Sequence, residues 1–313
     1  MNPTDRILPG VVLMLTFCVI APLIDVSSKL AAQTVPVGVV TLSRFVVQAL
    51  LMAPVVAVMG QSFRLGARAL WLTTLRAAVS ILSTYCFIAA LRFMPVADAL
   101  AIAFVEPFII LLIGKLVLGE QVGPRRLGAC AVGFLGSLLV IQPSFAHFGT
   151  IALFPLGTAL FFALYILITR SLSRQVHPVA MQFHTALIAT GLCLPLLVAG
   201  TALGEPSLGL VMPQGIFWVW CACVGLAATV SHMAMTYALK FAPSSTLAPL
   251  HYLEIITATL FGYLVFGNFP NALTWCGIAI IVSSGLYIIA RERRVSRHGA
   301  ATRSPVQGTP LAG

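Results

Sequence analysis

Apolar residues fill most of the chain in runs of about twenty. Proline, glycine and charge break them at short intervals. A helix needs about 20 mainly apolar residues to cross the hydrocarbon core of a bilayer. The pattern predicts ten such spans, at 8–31, 36–59, 68–91, 96–118, 124–142, 149–170, 178–200, 213–239, 244–267 and 272–290. Lipid offers no partner to backbone N–H and C=O groups, so each span has to close its hydrogen bonds internally as a helix. The links are short and hold most of the turn residues, among them Pro95, Gly119, Gly123, Pro143, Pro178, Gly204, Pro206, Pro243, Gly267 and Pro270. Links this short make successive helices run up and down. The predicted fold is an all-α membrane protein.

Composition strengthens that picture. Hydrophobic residues make up 59% of the 313 positions and charged ones 8%, against about 25% charged in soluble domains. A surface so poor in charge has to be covered by lipid. The net charge of +10 does not point to nucleic acid, because the basic residues lie between apolar runs and in the tail rather than on one patch.

With the N-terminus cytoplasmic, fourteen of the 18 Lys and Arg fall in or beside cytoplasmic segments. They include Arg6, Arg64, Arg68, Lys115, Arg125, Arg126, Arg170, Arg174, Lys240 and Arg291. Only Arg92 lies outside, and Lys29, Arg44 and Arg76 fall within spans. This asymmetry places both termini in the cytoplasm, which an even number of spans requires. The first run is longer than a signal-peptide core and carries Asp25 and Lys29, so it is expected to be a retained helix. The tail, 291–313, is basic and then rich in Ser, Pro, Gly and Thr, and reads as disordered.

The chain also repeats itself. Ala90-Leu91-Arg92-Phe93-Met94-Pro95 returns as Ala238-Leu239-Lys240-Phe241-Ala242-Pro243, an offset of 148. Carried on to Gly119, that offset pairs ten identical residues in thirty, Glu106 with Glu254 among them. Apolar helices match one another easily. A shared mid-span Glu at a fixed distance from a shared Pro is much harder to obtain by accident. Each copy, 8–142 and 149–290, holds five predicted spans. An odd number forces the copies into opposite senses, which gives two inverted five-helix repeats. Many secondary transporters are built this way, with the solute near midplane between the halves.

Ionisable side chains at bilayer depth cost roughly 2.5–3.5 kcal/mol each and persist where they pair or face a cavity. Glu106 lies about 15 Å into its span at a 1.5 Å rise per residue, and Glu254 has the same depth. Repeat symmetry expects the two to face one central space, with Pro107 and Pro249 freeing the carbonyls of Ala103 and Ser245. The alternative is that each Glu is locked to a buried Arg. Arg44 and Arg76 are candidates to pair with Asp25, Asp98 or a Glu, or to meet a solute anion. Asp25 and Lys29 are spaced as an intrahelical pair.

His251 and Tyr252 lie one turn from Glu254. Tyr85, Tyr165, Phe104 and Phe108 are available as flat walls, although aromatics at helical spacing usually serve packing. His184 and His232 read as packing residues. The row Ala129, Gly133, Ser137 allows close helix contact within the chain and leaves a homodimer open.

No phosphate-binding loop, hydrolase motif or metal-ligand cluster is present. The seven cysteines lie in apolar runs, and Cys221-Ala222-Cys223 lacks zinc-site spacing. Neither a cofactor nor a metal is expected, nor is an enzyme.

Several motifs together resemble the drug/metabolite transporter superfamily, in its ten-helix EamA type. They are Asp25-Val26-Ser27-Ser28-Lys29, Ser43-Arg44-Phe45, Leu75-Arg76, the two Ala-Leu-Arg/Lys-Phe-x-Pro joints, Gly119-Glu120 with Arg125-Arg126-Leu127-Gly128, and Ala248-Pro249-Leu250-His251-Tyr252-Leu253-Glu254. The resemblance covers about residues 8–290, and Asn268 departs from the acidic residue often found there. It implies a secondary carrier for a small-molecule solute in the bacterial inner membrane. The last motif is similar to that of riboflavin and S-adenosylmethionine importers. Riboflavin uptake is the preferred reading, with S-adenosylmethionine uptake or amino-acid or drug export as alternatives. A non-transporting receptor or assembly subunit is the alternative of another class.

Overall fold

The computed structural model describes residues 7–61, 64–117, 119, 123–141, 149–267, and 272–287 except 273, 274, 278, 281 and 285. The basic tail and the Glu120/Asn268 position lie outside the described residues.

Eight segments among the described residues are long and apolar enough to cross a membrane, and no strand occurs among those residues. Five are continuous helices: α1 (Ile7–Ala31), α2 (Val37–Val58), α3 (Ala67–Leu91), α8 (Pro178–Ala202) and α9 (Phe217–Phe241). A sixth, α7 (Leu153–Leu172), follows a 3-10 turn at Gly149–Ala152. Two further apolar helices are shorter, Leu127–Gly136 within α6 (Pro124–Ile141) and Trp275–Ser284.

The remaining two membrane-length segments are broken in the middle. Val96–Val117 splits into α4 (Val96–Ala103) and α5 (Glu106–Val117). Ser244–Phe266 splits into α10 (Ser244–Leu247), a 3-10 stretch at Ala248–Leu253, and α11 (Glu254–Phe266). The prolines explain the breaks. Pro107 stands in the first turn of α5, where its missing N–H costs nothing, while the chain before it leaves helical geometry at Phe104 (ψ 9°). Pro249 opens the 3-10 stretch in the same way. Each break places a glutamate as the first residue of a new helix. There the positive end of the helix dipole favours a carboxylate. Both segments start, and both glutamates fall, at the 148-residue offset seen in the sequence.

Helix α1 packs along α9 and α3 along α7, and α2 lies against both α8 and α9. Helix α4 meets α6, α7 and α11. Small residues permit the closest crossings. A Cβ on Gly10 would lie 2.7 Å from that of Ala242, and one on Gly225 would lie 2.3 Å from that of Val47. Large apolar side chains such as Leu50, Leu116, Leu196, Val219 and Leu264 point outward from the bundle, as a lipid-facing surface requires.

Candidate functional site

The two broken segments, with α1, α2, α3, α7 and α9, surround a cavity of about 100 Å³. Both copies of the repeat supply walls: Asp25, Arg44, Thr84 and Glu106 from the first, Phe162, His232 and Glu254 from the second. Asp25 and Ser28 come from the C-terminal half of α1, Thr84 and Phe87 from that of α3, and Arg44 and Thr158 from the N-terminal halves of α2 and α7, while Phe17 and His232 lie near the middle of α1 and α9. The cavity therefore lies in the half of the bundle away from the face where α1 begins.

Arg44 is buried but makes no ion pair among the described residues. Its Nη1 donates to Thr84 Oγ1, and its Nη2 lies 2.7 Å from His232 Nε2. The expected carboxylate partner is replaced by a hydroxyl and an imidazole. Asp25 is buried on the same cavity with Oδ2 unpartnered. Aromatic rings flank these groups. Phe17 stacks on Phe162 at 6.3 Å between centroids, and His232 meets both edge-on. Phe104 closes another wall.

The remaining candidates sit around the cavity rather than on it. His251 Nδ1 stands 3.3 Å from Glu106 Oε1, within ion-pair reach but not aligned as a hydrogen bond. Tyr252 is fully buried against α6, where its hydroxyl donates to the Cys130 carbonyl at 3.1 Å and its ring fills the space beside Gly133. Tyr85 donates to Ser207 Oγ at 2.8 Å, in the segment that joins α8 to α9.

Lys29 does not pair with Asp25. Its Nζ donates to the Met94 carbonyl at 2.8 Å and lies 5.3 Å from the centre of the Phe266 ring. The long side chain stretches toward the helix end, where the ammonium is cheaper to hold. Asp98 lies in the first turn of α4 and makes no ion pair among the described residues.

Arg76 corrects a second expected ion pair. It is fully buried with no carboxylate in ion-pair reach among the described residues. Nε donates to Thr169 Oγ1 at 2.7 Å, Nη1 to Thr185 Oγ1, and Nη2 to Tyr165 Oη at 2.6 Å and Gln182 Oε1 at 3.2 Å. Gln182 also accepts from Gln48 and donates to Thr236. This neutral network joins α2, α3, α7, α8 and α9 on the side of the cavity nearer the start of α1. A guanidinium disperses its charge over five donors and is weakly hydrated, so hydroxyl and amide oxygens can replace a counter-ion.

Sequence reasoning ranked His232 with the packing residues, yet it stands on the cavity wall and holds Arg44. Thr84 was not singled out. Neither carries a signal in the sequence, because a single hydroxyl or imidazole in an apolar helix looks the same whichever way it faces.

A family model described as the EamA-like transporter family matches residues 8–142 and again 149–290. The chain is 31% identical over 230 residues to a riboflavin transporter of Rhizobium johnstonii, covering 74% of each chain. It is 22% identical to an S-adenosylmethionine uptake transporter of Rickettsia prowazekii, covering 92% of this chain and 94% of that one. A solved crystal structure has the same fold, with a TM-score of 0.73, 18% identity, and coverage of 91% of this chain and 98% of that chain.

Proposed function

The chain belongs to the EamA-like transporter family, and on that premise we propose that it is a secondary carrier that takes up riboflavin across the bacterial inner membrane. It is a multi-pass membrane protein of a family that moves small solutes. The observation that carries the riboflavin reading is the cavity walled by Phe17, Phe104 and Phe162 and edged by donors and acceptors, Arg44 and His232 on one hand and Asp25, Glu106 and Glu254 on the other. Riboflavin is flat, neutral and rich in hydrogen-bonding groups. Identity to the Rhizobium johnstonii transporter supports the same solute. The carboxylates on the cavity favour a cation such as S-adenosylmethionine, but Arg44, with no carboxylate in ion-pair range among the described residues, opposes one.

The proposed architecture is ten spans in two inverted five-helix repeats, with both termini cytoplasmic. The packing supports it. A two-fold axis between the halves exchanges α1 with α7 and α3 with α9, so the contact of α1 with α9 has its mate in that of α3 with α7. The contact of α2 with α9 is likewise matched by that of α8 with α3. In this reading the cavity opens outward and the Arg76 network closes the inner side. Transport exchanges the two states by rocking the halves. Gly133 is packed inside the chain by Tyr252, so the proposal does not call on a homodimer.

Growth of a riboflavin auxotroph on low vitamin tests the proposal. The wild-type chain should rescue growth, and the Glu106→Gln and Glu254→Gln variants should rescue it poorly. Absence of rescue by a well-expressed wild-type protein would remove riboflavin as the solute.

A further inference from the structure

The cavity holds charges of both signs without letting them meet. A guanidinium carries five N–H donors and accepts nothing. Arg44 uses donors on Thr84 and His232, which fixes its plane, while its Nε–H has no partner. Because arginine only donates, His232 Nε2 accepts. That puts the imidazole proton on Nδ1, which is also buried and unpartnered. On the same cavity, Asp25 Oδ2 is buried and unpartnered, and no carboxylate among the described residues lies in ion-pair range of Arg44.

A buried polar group left unpaired is costly, so this arrangement is built for a solute that completes it. A simple anion on Arg44 would share the space with Asp25, Glu106 and Glu254. A simple cation would share it with an unneutralised guanidinium. A solute that satisfies both sides offers acceptors to Arg44 and His232 and a donor to Asp25, without net charge. The phenyl walls of Phe17, Phe104 and Phe162 suit a flat ring system rather than a compact zwitterion.

We propose that Arg44 and Asp25 read the imide edge of a neutral flat heterocycle, with the ring N–H donating to Asp25 and a flanking carbonyl accepting from Arg44. This rests on the reading of the cavity as a riboflavin site. In riboflavin the edge is the pyrimidine end of the ring system, so the sugar-alcohol chain points away from Arg44. The specificity pair is then made by α1 and α2, both in the first copy of the repeat. The second copy contributes His232, which holds Arg44 in plane.

Methylating the imide nitrogen removes the one donor and leaves the ring otherwise intact. Uptake of radiolabelled riboflavin and N3-methylriboflavin is compared in vesicles carrying the wild-type chain or Asp25→Ala. The wild type should prefer riboflavin by about tenfold or more, the worth of a hydrogen bond to a charged group. Asp25→Ala should take up riboflavin less well and discriminate between the two compounds by less than about threefold, since the partner of the lost donor is gone.

Equal uptake of both compounds by the wild type would overturn the imide assignment and leave the riboflavin reading standing. Failure of the wild type to take up riboflavin would overturn both. Competition by zwitterionic amino acids at concentrations similar to riboflavin would reassign the pair to an ammonium and a carboxylate. If Asp25→Ala does not fold, the wild-type comparison alone decides the matter.

Discussion

His251 Nδ1 stands 3.3 Å from Glu106 Oε1, so a side chain from the 3-10 stretch ahead of α11 reaches the carboxylate that opens α5. The contact crosses between the two copies of the repeat. The 148-residue offset puts Ala103 at the place that mirrors His251, so Glu254 has no imidazole to match. Two glutamates equal in sequence are unequal in their surroundings.

Glu106 should therefore depend on His251 and Glu254 should not. His251→Asn is expected to lower uptake efficiency by about 3- to 30-fold, the range for an interaction with a buried charged group. In a double-mutant cycle, His251→Asn should couple to Glu106→Gln by about 1 kcal/mol or more and to Glu254→Gln by less than about 0.5 kcal/mol. Equal coupling to both acids would mean that the contact has no specific role.

Arg76 should matter for stability before transport. Arg76→Leu removes the guanidinium donors from Thr169, Thr185, Tyr165 and Gln182 and leaves those oxygens buried, Gln182 alone of the four keeping its bond from Gln48. The expected result is a fall of about 5 °C or more in the melting temperature of the detergent-solubilised protein. Arg76→Lys should rescue little, because one ammonium cannot span the partners of a planar fork. A variant as stable as the wild type would show that the network does not hold the helices together.

Gly133 is expected to tolerate no side chain while Tyr252 is present. A Cβ there would lie 2.5 Å from the Tyr252 ring. Gly133→Ala should cost about 1–3 kcal/mol from overpacking. Adding Tyr252→Leu should recover part of that loss. Thermal unfolding of the three variants checks this, and additive losses would contradict the close approach.

The length of the apolar runs was enough to find the eight membrane-length segments, while the fifth and tenth expected spans are represented among the described residues only by the shorter apolar helices Leu127–Gly136 and Trp275–Ser284. The predicted 36–59 and 178–200 agree within two residues with α2 and α8, because lipid imposes one length and one backbone solution. The equivalence of Glu106 and Glu254 was legible as well, since each opens the second helix of a broken segment at the repeat offset. Side-chain direction was not. Asp25 and Lys29 share a helix face, yet Lys29 reaches away to Met94. Arg76 was expected to need a carboxylate and instead uses hydroxyls spread over α7 and α8. Tyr252 sits beside Glu254 in sequence but is turned to α6, because Gly133 leaves room for its ring. Such outcomes are decided by tertiary neighbours that no local pattern records.

The topology makes its own prediction. Reporter fusions after residues 61 and 176 should read as cytoplasmic, and fusions after 93 and 208 as external, in keeping with the excess of Lys and Arg on one side. Termini on opposite faces would contradict the inverted-repeat arrangement.

The most direct test of a shared transport cavity is radiolabelled riboflavin uptake into proteoliposomes made with purified wild-type, Glu106→Gln and Glu254→Gln proteins, each first shown to be folded. The account predicts saturable uptake by the wild type and a loss of about tenfold or more in both variants. Wild-type uptake left unchanged by both substitutions would contradict it.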